Sequence, residues 1–428
     1  MSWRFFYSSW VLALSVLCNQ QPAFADHPGE GSLTLAPLIA EAEAQNLELQ
    51  EADASLKSTR SRARAAFGRY LPSLSLEGGP LLTRFADQAS SGTSYYGKID
   101  WNLYRGGADR YSFDSFKIRE SLEERKFASV KAKVGRDVAR LYYELLFLLE
   151  SKALKEKAIE LNQEQMALAK RKKTSGFTSS ADVIEFELRE ATLNSDLQML
   201  NQQLIEQSRQ LSVVLGRKDS NSVITVKGHL KKVGPVASKE TFMRQLDEQS
   251  LEIATAKADV ELSERDRSSI QSRYLPSLDL EARYGKIAVD ERVLPGTNNY
   301  AVFLKLSVPI FSGLETLNES RAINASLAAK EASAARAALT TRATAENLFS
   351  LLKTISDRIA LEEKTLPKSE TYYKITLDEY RRGVKNSPDM VGASERLLDA
   401  RIRNLEFRRD FFLAELKLYD LISEVPSH

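Results

Sequence analysis

The chain changes its hydrophobic rhythm several times, and the changes recur in a fixed order. From Pro37 to Tyr70 the residues are rich in Ala, Glu, Leu and Lys, which predicts a helix, and Pro72 stops it. The pattern then turns to alternation. Leu74, Leu76 and Leu82 oppose Ser73, Ser75 and Glu77, which predicts a strand. The polar, glycine-containing stretch Asp87–Thr93 reads as a hairpin loop, and beyond it Ile99, Trp101 and Leu103 oppose Lys98, Asp100 and Asn102. A proline-free run from Asp109 to Lys173, whose only glycine is Gly135, predicts one long helix. A turn and a shorter helix over about 180–215 follow it.

The same order then returns. Arg69-Tyr-Leu-Pro-Ser-Leu-Ser-Leu-Glu77 recurs as Arg273-Tyr-Leu-Pro-Ser-Leu-Asp-Leu-Glu281 with a single difference. Lys98–Tyr104 and Gly106 answer Lys305–Phe311 and Gly313, and Gly176 with Asp182-Val183 answers Gly383 with Asp389-Met390. Ordered matches at nearly constant spacing mark two copies of one unit, placed at 26–219 and 238–428 and joined by a linker over 220–237. In the second copy Leu278, Leu280, Ala282 and Tyr284 oppose Ser277, Asp279, Glu281 and Arg283. Val302, Leu304, Leu306 and Val308 then oppose Phe303, Lys305 and Ser307. Pro309 and Gly313 turn the chain back to helix, and the run Leu314–Arg382 is broken only by Pro367.

Helices of that length measure on the order of 100 Å at about 1.5 Å per residue. No ordinary core is that deep, so they need coiled-coil-like partners along their flanks. The seams are visible. Ala334, Ala338, Thr341, Ala345, Leu348, Leu352, Ile355, Ile359 and Leu366 keep 4/3 spacing with one polar interruption at Glu362, as do Val134, Val138, Leu141, Leu145 and Leu148. The shorter helices, about 37–70 and 180–215, together match one long helix and could stack end to end beside it.

The strands carry the next inference. Segments of about 9–11 residues cross a bilayer when tilted, and the alternation suits a lipid-facing barrel wall. Four strands cannot close a barrel, which needs about eight, and open edges are not tolerated in lipid. Three copies give twelve strands around an aqueous lumen. Tyr70, Tyr95, Tyr96, Trp101, Tyr274 and Tyr300 lie near strand ends, where an aromatic belt belongs. The competing expectation is a soluble sheet packed on helices.

Composition narrows the picture by exclusion. A net charge of +2 gives no basic excess for nucleic acid. Arg4, the apolar run Trp10–Leu17 and the ending Ala23-Phe24-Ala25 form a secretion signal with cleavage after Ala25. Cys18, the sole cysteine, is then removed, its alternative being a lipid-attachment site. His27, His229 and His428 are scattered, and neither metal-ligand spacing nor a phosphate loop occurs. No enzyme activity, metal or cofactor is expected. A periplasmic coiled-coil structural protein, or an adaptor with long hairpins, accounts for the helices but not for the doubled, sided strands.

The helix, the Leu-Pro-Ser-Leu strand, the hairpin and the long helix, in order and duplicated, resemble the TolC family of outer-membrane efflux proteins over nearly the whole chain. The resemblance implies a mainly α fold with a small β part: a trimeric twelve-stranded β-barrel continued by a twelve-helix periplasmic tunnel. It implies a passive duct in the outer membrane of a Gram-negative bacterium, serving a tripartite efflux pump or a type I secretion system. The implied partners are a homotrimer's other copies, membrane lipid, a periplasmic adaptor protein and an inner-membrane pump of RND, ABC or MFS type. The family shuts its tunnel at the helix-to-helix turns, here Lys173–Asp182 and Arg381–Asp389. Asp389 matches the family's acidic ring, and three copies of it around an axis would attract cations. Tyr380 and Lys385 match residues that latch onto the neighbouring turn, and Asp182 matches the tyrosine's partner. A second acidic position of the prototype is Gly392 here. For Asp182 and Asp389 the competing role is helix capping or first-turn dipole compensation. The exposed tips Gly176-Phe177 and Gly383-Val384 match the place where an adaptor hairpin docks.

Overall fold

The computed structural model describes residues 33–85, 88–218, 224–234, 238–286 and 299–426. The secretion signal and Cys18 lie outside the described residues. The long helices form as expected: α3 (Ala108–Thr174) has 67 residues and α7 (Glu315–Arg382) has 68. Pro367 does not end α7, although it removes one backbone donor inside it.

The helix expected over 37–70 is two helices, α1 (Leu35–Gln45) and α2 (Leu47–Phe67). Between them Asn46 is extended (φ −62°, ψ 130°), and its side-chain oxygen accepts from the Leu49 amide at 3.0 Å, which starts α2. Its side-chain NH2 donates to the Val214 carbonyl at 2.7 Å, near the end of α4 (Ser180–Leu215). The break is therefore set by a contact distant in sequence, which local pattern could not show. Ser250 makes the equivalent break (φ −58°, ψ 121°) between α5 (Lys239–Gln249) and α6 (Leu251–Ser272). The last helix, α8, spans Ser387–Asp420.

The end of α4 butts against the α1–α2 junction. Gly216 turns the chain there in the left-handed conformation (φ +77°), and a Cβ on it would lie 2.3 Å from the Gln45 carbonyl oxygen. Thus α2 and α4 stack along α3, and α6 and α8 stack along α7. The main core lies at mid-height, where Val134, Val138, Leu141 and Leu145 of α3 meet Ala345, Leu352 and Ile355 of α7, Leu38 of α1 and Phe411 of α8. The linker residues Ile224, Val226 and Leu230 are buried in it too. Arg136 of α3 is buried beside them, paired with Asp420 and donating to the Glu424 carbonyl at 2.8 Å, and burial pulls its guanidinium below its ordinary value against the opposing pull of Asp420.

The four strands, β1 (Ser73–Phe85), β2 (Gln88–Arg105), β3 (Ser277–Lys286) and β4 (Asn299–Ser307), form one antiparallel sheet in the order β1-β2-β3-β4. The expected loop Asp87–Thr93 is shorter than polarity implied. Gln88 already pairs with Phe85, and Thr93 pairs with Pro80, because the backbone ladder continues whatever the side chains carry. Across the sheet Leu74, Ile99, Ala282 and Val302 fall in one row, as do Trp101, Leu280 and Leu304. This apolar face is bare: Leu76 is 90% exposed and Leu306 65%. The other face carries ion pairs, with Lys98 at 3.1 Å from Asp100 and 3.7 Å from Glu77. Of the expected aromatic belt, Tyr70 and Tyr274 sit where helix gives way to strand, and Trp101 Nε1 donates to the Tyr70 carbonyl at 3.0 Å. Tyr96 departs from it, because its hydroxyl donates to Glu77 on the polar face at 2.8 Å.

Contacts order the molecule as a slab. Above mid-height the sequence of neighbours is α2, α3, α6, α7; below it is α4, α3, α8, α7. One side wall is therefore β1, α2 and α4, and the other is β4 and α7. Both walls are unpaired in the single chain. Ile184, Leu188 and Met199 stand exposed on α4, and Leu351, Leu361 and Ile375 on α7.

Two glycines test the packing argument against the backbone one. Gly216 and Gly176 have nearly the same φ (+77° and +78°), but nothing lies within 4 Å of a Cβ on Gly176. Gly176→Ala should cost about 1 kcal/mol, the left-handed penalty alone, whereas Gly216→Ala should cost more than about 2 kcal/mol. Thermal melting of the two purified variants measures the difference.

Candidate functional site: the helical tip

The end of the slab away from the sheet is built from two turns that copy each other. Helix α3 carries Arg171, Lys172 and Lys173 in its last turn and α7 carries Arg381 and Arg382, which suits the negative ends of both dipoles. Each turn then passes through a left-handed glycine, Gly176 (φ +78°) or Gly383 (φ +82°). The Phe177 amide donates to the Lys172 carbonyl and the Val384 amide to the Glu379 carbonyl, each at 2.9 Å. The two apolar side chains that follow point outward, Phe177 at 84% exposure and Val384 at 70%.

The next helices start with matching caps. Ser179 and Asp182 cap α4 reciprocally, and Asn386 and Asp389 cap α8 in the same way. Capping is thus the role both aspartates fill within the chain. Beyond that they differ. Asp389 has Lys385 of its own turn at 3.9 Å, and both side chains are well exposed. Asp182 accepts from the Thr178 hydroxyl at 2.5 Å and the Ser179 amide at 3.0 Å. It also accepts from the Ser387 amide of α8 at 3.3 Å. These donors, Thr178 foremost, hold its carboxyl well below the usual carboxylate range.

Tyr380, at the end of α7, is only 2% exposed. It packs with Met166, Ala169, Val183, Phe186, Met390 and Val391, its ring edge-on to Phe186 at 6.0 Å between centroids. Its hydroxyl makes no hydrogen bond within the chain, and neither does the buried hydroxyl of Ser387. Within the single chain Tyr380 and Asp182 are therefore not bonded directly. Burial raises the phenol above its ordinary value, the adjacent Ser387 hydroxyl opposes that, and the Asp182 charge adds to it. Lys172 was not picked out by sequence. Its ammonium lies 4.3 Å from the centre of the Tyr380 ring and donates to the Tyr380 carbonyl. Burial lowers the Lys172 ammonium below its ordinary value, and Asp182 opposes this. The caps Ser179-x-x-Asp182 and Asn386-x-x-Asp389 are legible as spacing. The Lys172 contact links residues far apart in the chain and left no local signal.

Gly392 lies open on α8, with nothing within 4 Å of a Cβ. Among the described residues no group of His, Cys, Asp and Glu could hold a metal ion, and no helix is long and apolar enough to cross a membrane.

A sided four-stranded sheet on an elongated helical slab defines a channel-type outer-membrane protein. The family model for outer membrane efflux proteins matches residues 38–217 and 243–424, and the chain belongs to that family. Its location is the outer membrane. The fold is similar to that of CusC (TM-score 0.80, 14% identity, 95% of this chain and 97% of that one). It is similar too to VceC of Vibrio cholerae (TM-score 0.80, 17% identity, 91% and 96%). A third likeness is the MtrE outer membrane channel of Neisseria gonorrhoeae in its open state (TM-score 0.77, 14% identity, 91% and 89%). None of the curated proteins matches the chain.

The Asp182 cluster sets a pH dependence. A carboxyl whose folded pKa lies below its unfolded value adds stability that is complete above the unfolded value, about 3.9, and is lost as pH falls below it. Protease nicking at the tip should be constant from neutrality down to about pH 5 and rise as pH drops below about 4. In Asp182→Asn nicking should be faster at neutral pH and lose most of that acid dependence.

Proposed function

We propose that the chain is one third of an export duct: three copies close a twelve-stranded barrel in the outer membrane and a twelve-helix tunnel in the periplasm. The observation that carries this reading is the pair of open walls. Strand β1 and the stripe Ile184, Leu188 and Met199 lie on one side; β4 and the stripe Leu351, Leu361 and Ile375 lie on the other. Each wall leaves backbone and apolar groups unpaired, and head-to-tail closure satisfies both at once. A soluble coiled-coil or adaptor protein would have to keep Leu76 and Leu306 in water, which disfavours that alternative.

The duct does no chemistry of its own. It is shut at the tip, where the turns of three copies converge. Asp389 lines the constriction and draws cations toward it, and Lys385 beside it tempers that charge. Tyr380 and Asp182 shape the closed tip from inside each copy. The missing acidic group at Gly392 leaves one charge ring where a prototype has two. The outward Phe177 and Val384, each beside its glycine, form the surface on which a periplasmic adaptor hairpin docks, linking the duct to an inner-membrane pump of RND, ABC or MFS type. Efflux and type I secretion both suit such a conduit.

Purified protein should run as a trimer in detergent and give discrete ion-conducting steps in planar bilayers. Leu188→Glu with Met199→Glu, each placing a charge on the seam, should shift it toward monomer by light scattering. Asp389→Asn should leave the trimer intact and lower the preference for cations, read as a smaller reversal potential in a salt gradient. A monomer in plain buffer without conductance would overturn the reading.

A further inference from the structure

The linker that joins the two copies is a strap fastened to the helices. Ile224, Val226 and Leu230 are buried in the mid-height core. The backbone between them is tied as well. The Ile224 amide donates to the Ser208 hydroxyl of α4 at 2.6 Å, and the Lys227 amide to the Leu33 carbonyl at 3.1 Å. The Lys227 carbonyl accepts from the Tyr142 hydroxyl of α3 at 2.8 Å. The Leu230 amide donates to Glu150 of α3 at 2.8 Å, and the Leu230 carbonyl accepts from Arg408 of α8 at 3.5 Å. A Cβ on Gly228 would lie 2.6 Å from the Tyr142 hydroxyl oxygen, so the strap runs tight against α3.

With its apolar residues turned inward, the strap shows cations to solvent. Lys227, His229, Lys231 and Lys232 are all exposed. None of the three lysines has an ion-pair partner among the described residues. The carboxylates nearby are already engaged: Glu150 by the Leu230 amide and His229, the latter at 3.5 Å, and Glu363 by Arg408 at 3.6 Å. The whole chain balances 60 basic against 58 acidic side chains, so this run is a local excess of positive charge.

Its depth sets lipid aside. Tyr142 and Glu150 lie about 50 and 60 Å along α3 from the end beside the sheet, at about 1.5 Å per residue. Headgroup phosphates at the sheet are then several screening lengths away, since that length is about 8 Å at physiological salt. Its side follows from closure. Where twelve helices form a tube, a layer laid over them fits on the convex face, because on the concave face it would fill the bore. Its composition disfavours a folded protein, which needs apolar or aromatic anchors. Over 224–234 the strap exposes only glycine, Thr225 and its basic residues. A hydrophilic polymer carrying negative charge is what such a surface fits.

We propose that Lys227, Lys231 and Lys232, with His229 beside them, form a basic belt around the outside of the duct that binds the free carboxylates of the peptidoglycan mesh. The proposal rests on the duct reading, which sets the strap in the periplasm and on the outer surface. Each contact is exposed and weak on its own. The belt occurs once per copy, and a polymer of repeating carboxylates engages all three copies together, so valency supplies the affinity. The tied backbone holds the lysines in place, and less freedom is lost on binding than from a loose loop.

Sedimentation of purified trimer with insoluble peptidoglycan sacculi tests the belt. The protein should pellet with the sacculi at low salt and be released at about 1 M salt, where the screening length is about 3 Å. Lys227→Gln, Lys231→Gln and Lys232→Gln combined should lower the bound fraction by about fivefold or more, while the same three changes to Arg should retain it. Sacculi whose carboxylates have been amidated should not bind the unaltered protein. The Gln variant should keep its trimer, its melting temperature and its bilayer conductance, because the three side chains touch neither the core nor the bore. Binding that survives the Gln changes, or survives amidation, overturns the proposal. An intact, conducting trimer that ignores sacculi also overturns it and leaves the duct reading standing. A chain that neither trimerises nor conducts overturns the duct reading, and this proposal with it.

Discussion

A β-strand edge in hydrocarbon has no water to satisfy it, and each unpaired amide or carbonyl there costs several kcal/mol. The sheet described here has two such edges, β1 and β4, and a bare apolar face between them. Everything else in the architecture answers that constraint. The helices continue the sheet's order downward, so the wall that holds β1 also holds α2 and α4, and the wall that holds β4 also holds α7. A copy placed against one wall meets unsaturated backbone at the top and an apolar stripe below in the same register. The membrane part and the periplasmic part therefore demand the same neighbour.

Duplication explains why the tip looks symmetric, and packing explains why it does not act so. Both turns use basic last turns, a left-handed glycine, an outward apolar residue and an aspartate in a reciprocal cap. The copies part company in what reaches them from outside. The Ser387 amide arrives at Asp182 from α8, while the partners of Asp389, the Asn386 amide and Lys385, belong to its own turn. One aspartate is consequently an internal fastener and the other an exposed charge. The burial of Tyr380 depends on the same asymmetry, since its ring fills the space between Phe186 and Lys172.

Much of this was legible in the sequence. The long helices, the four sided strands and the repeat follow from periodicity and from proline and glycine placement, because those effects are local. The seam residues Val134, Val138, Leu141 and Leu145 are buried as the 4/3 spacing implies. What was not legible depends on contacts between distant segments. Asn46 breaks a helix because Val214 accepts its side chain, and Ser250 breaks the matching one. The ladder runs through 88–93 despite polar side chains, since its bonds belong to the backbone. At the tip, spacing marked Asp182, Asp389, Gly176 and Gly383, yet Lys172 emerged only once α3 and α7 lay side by side.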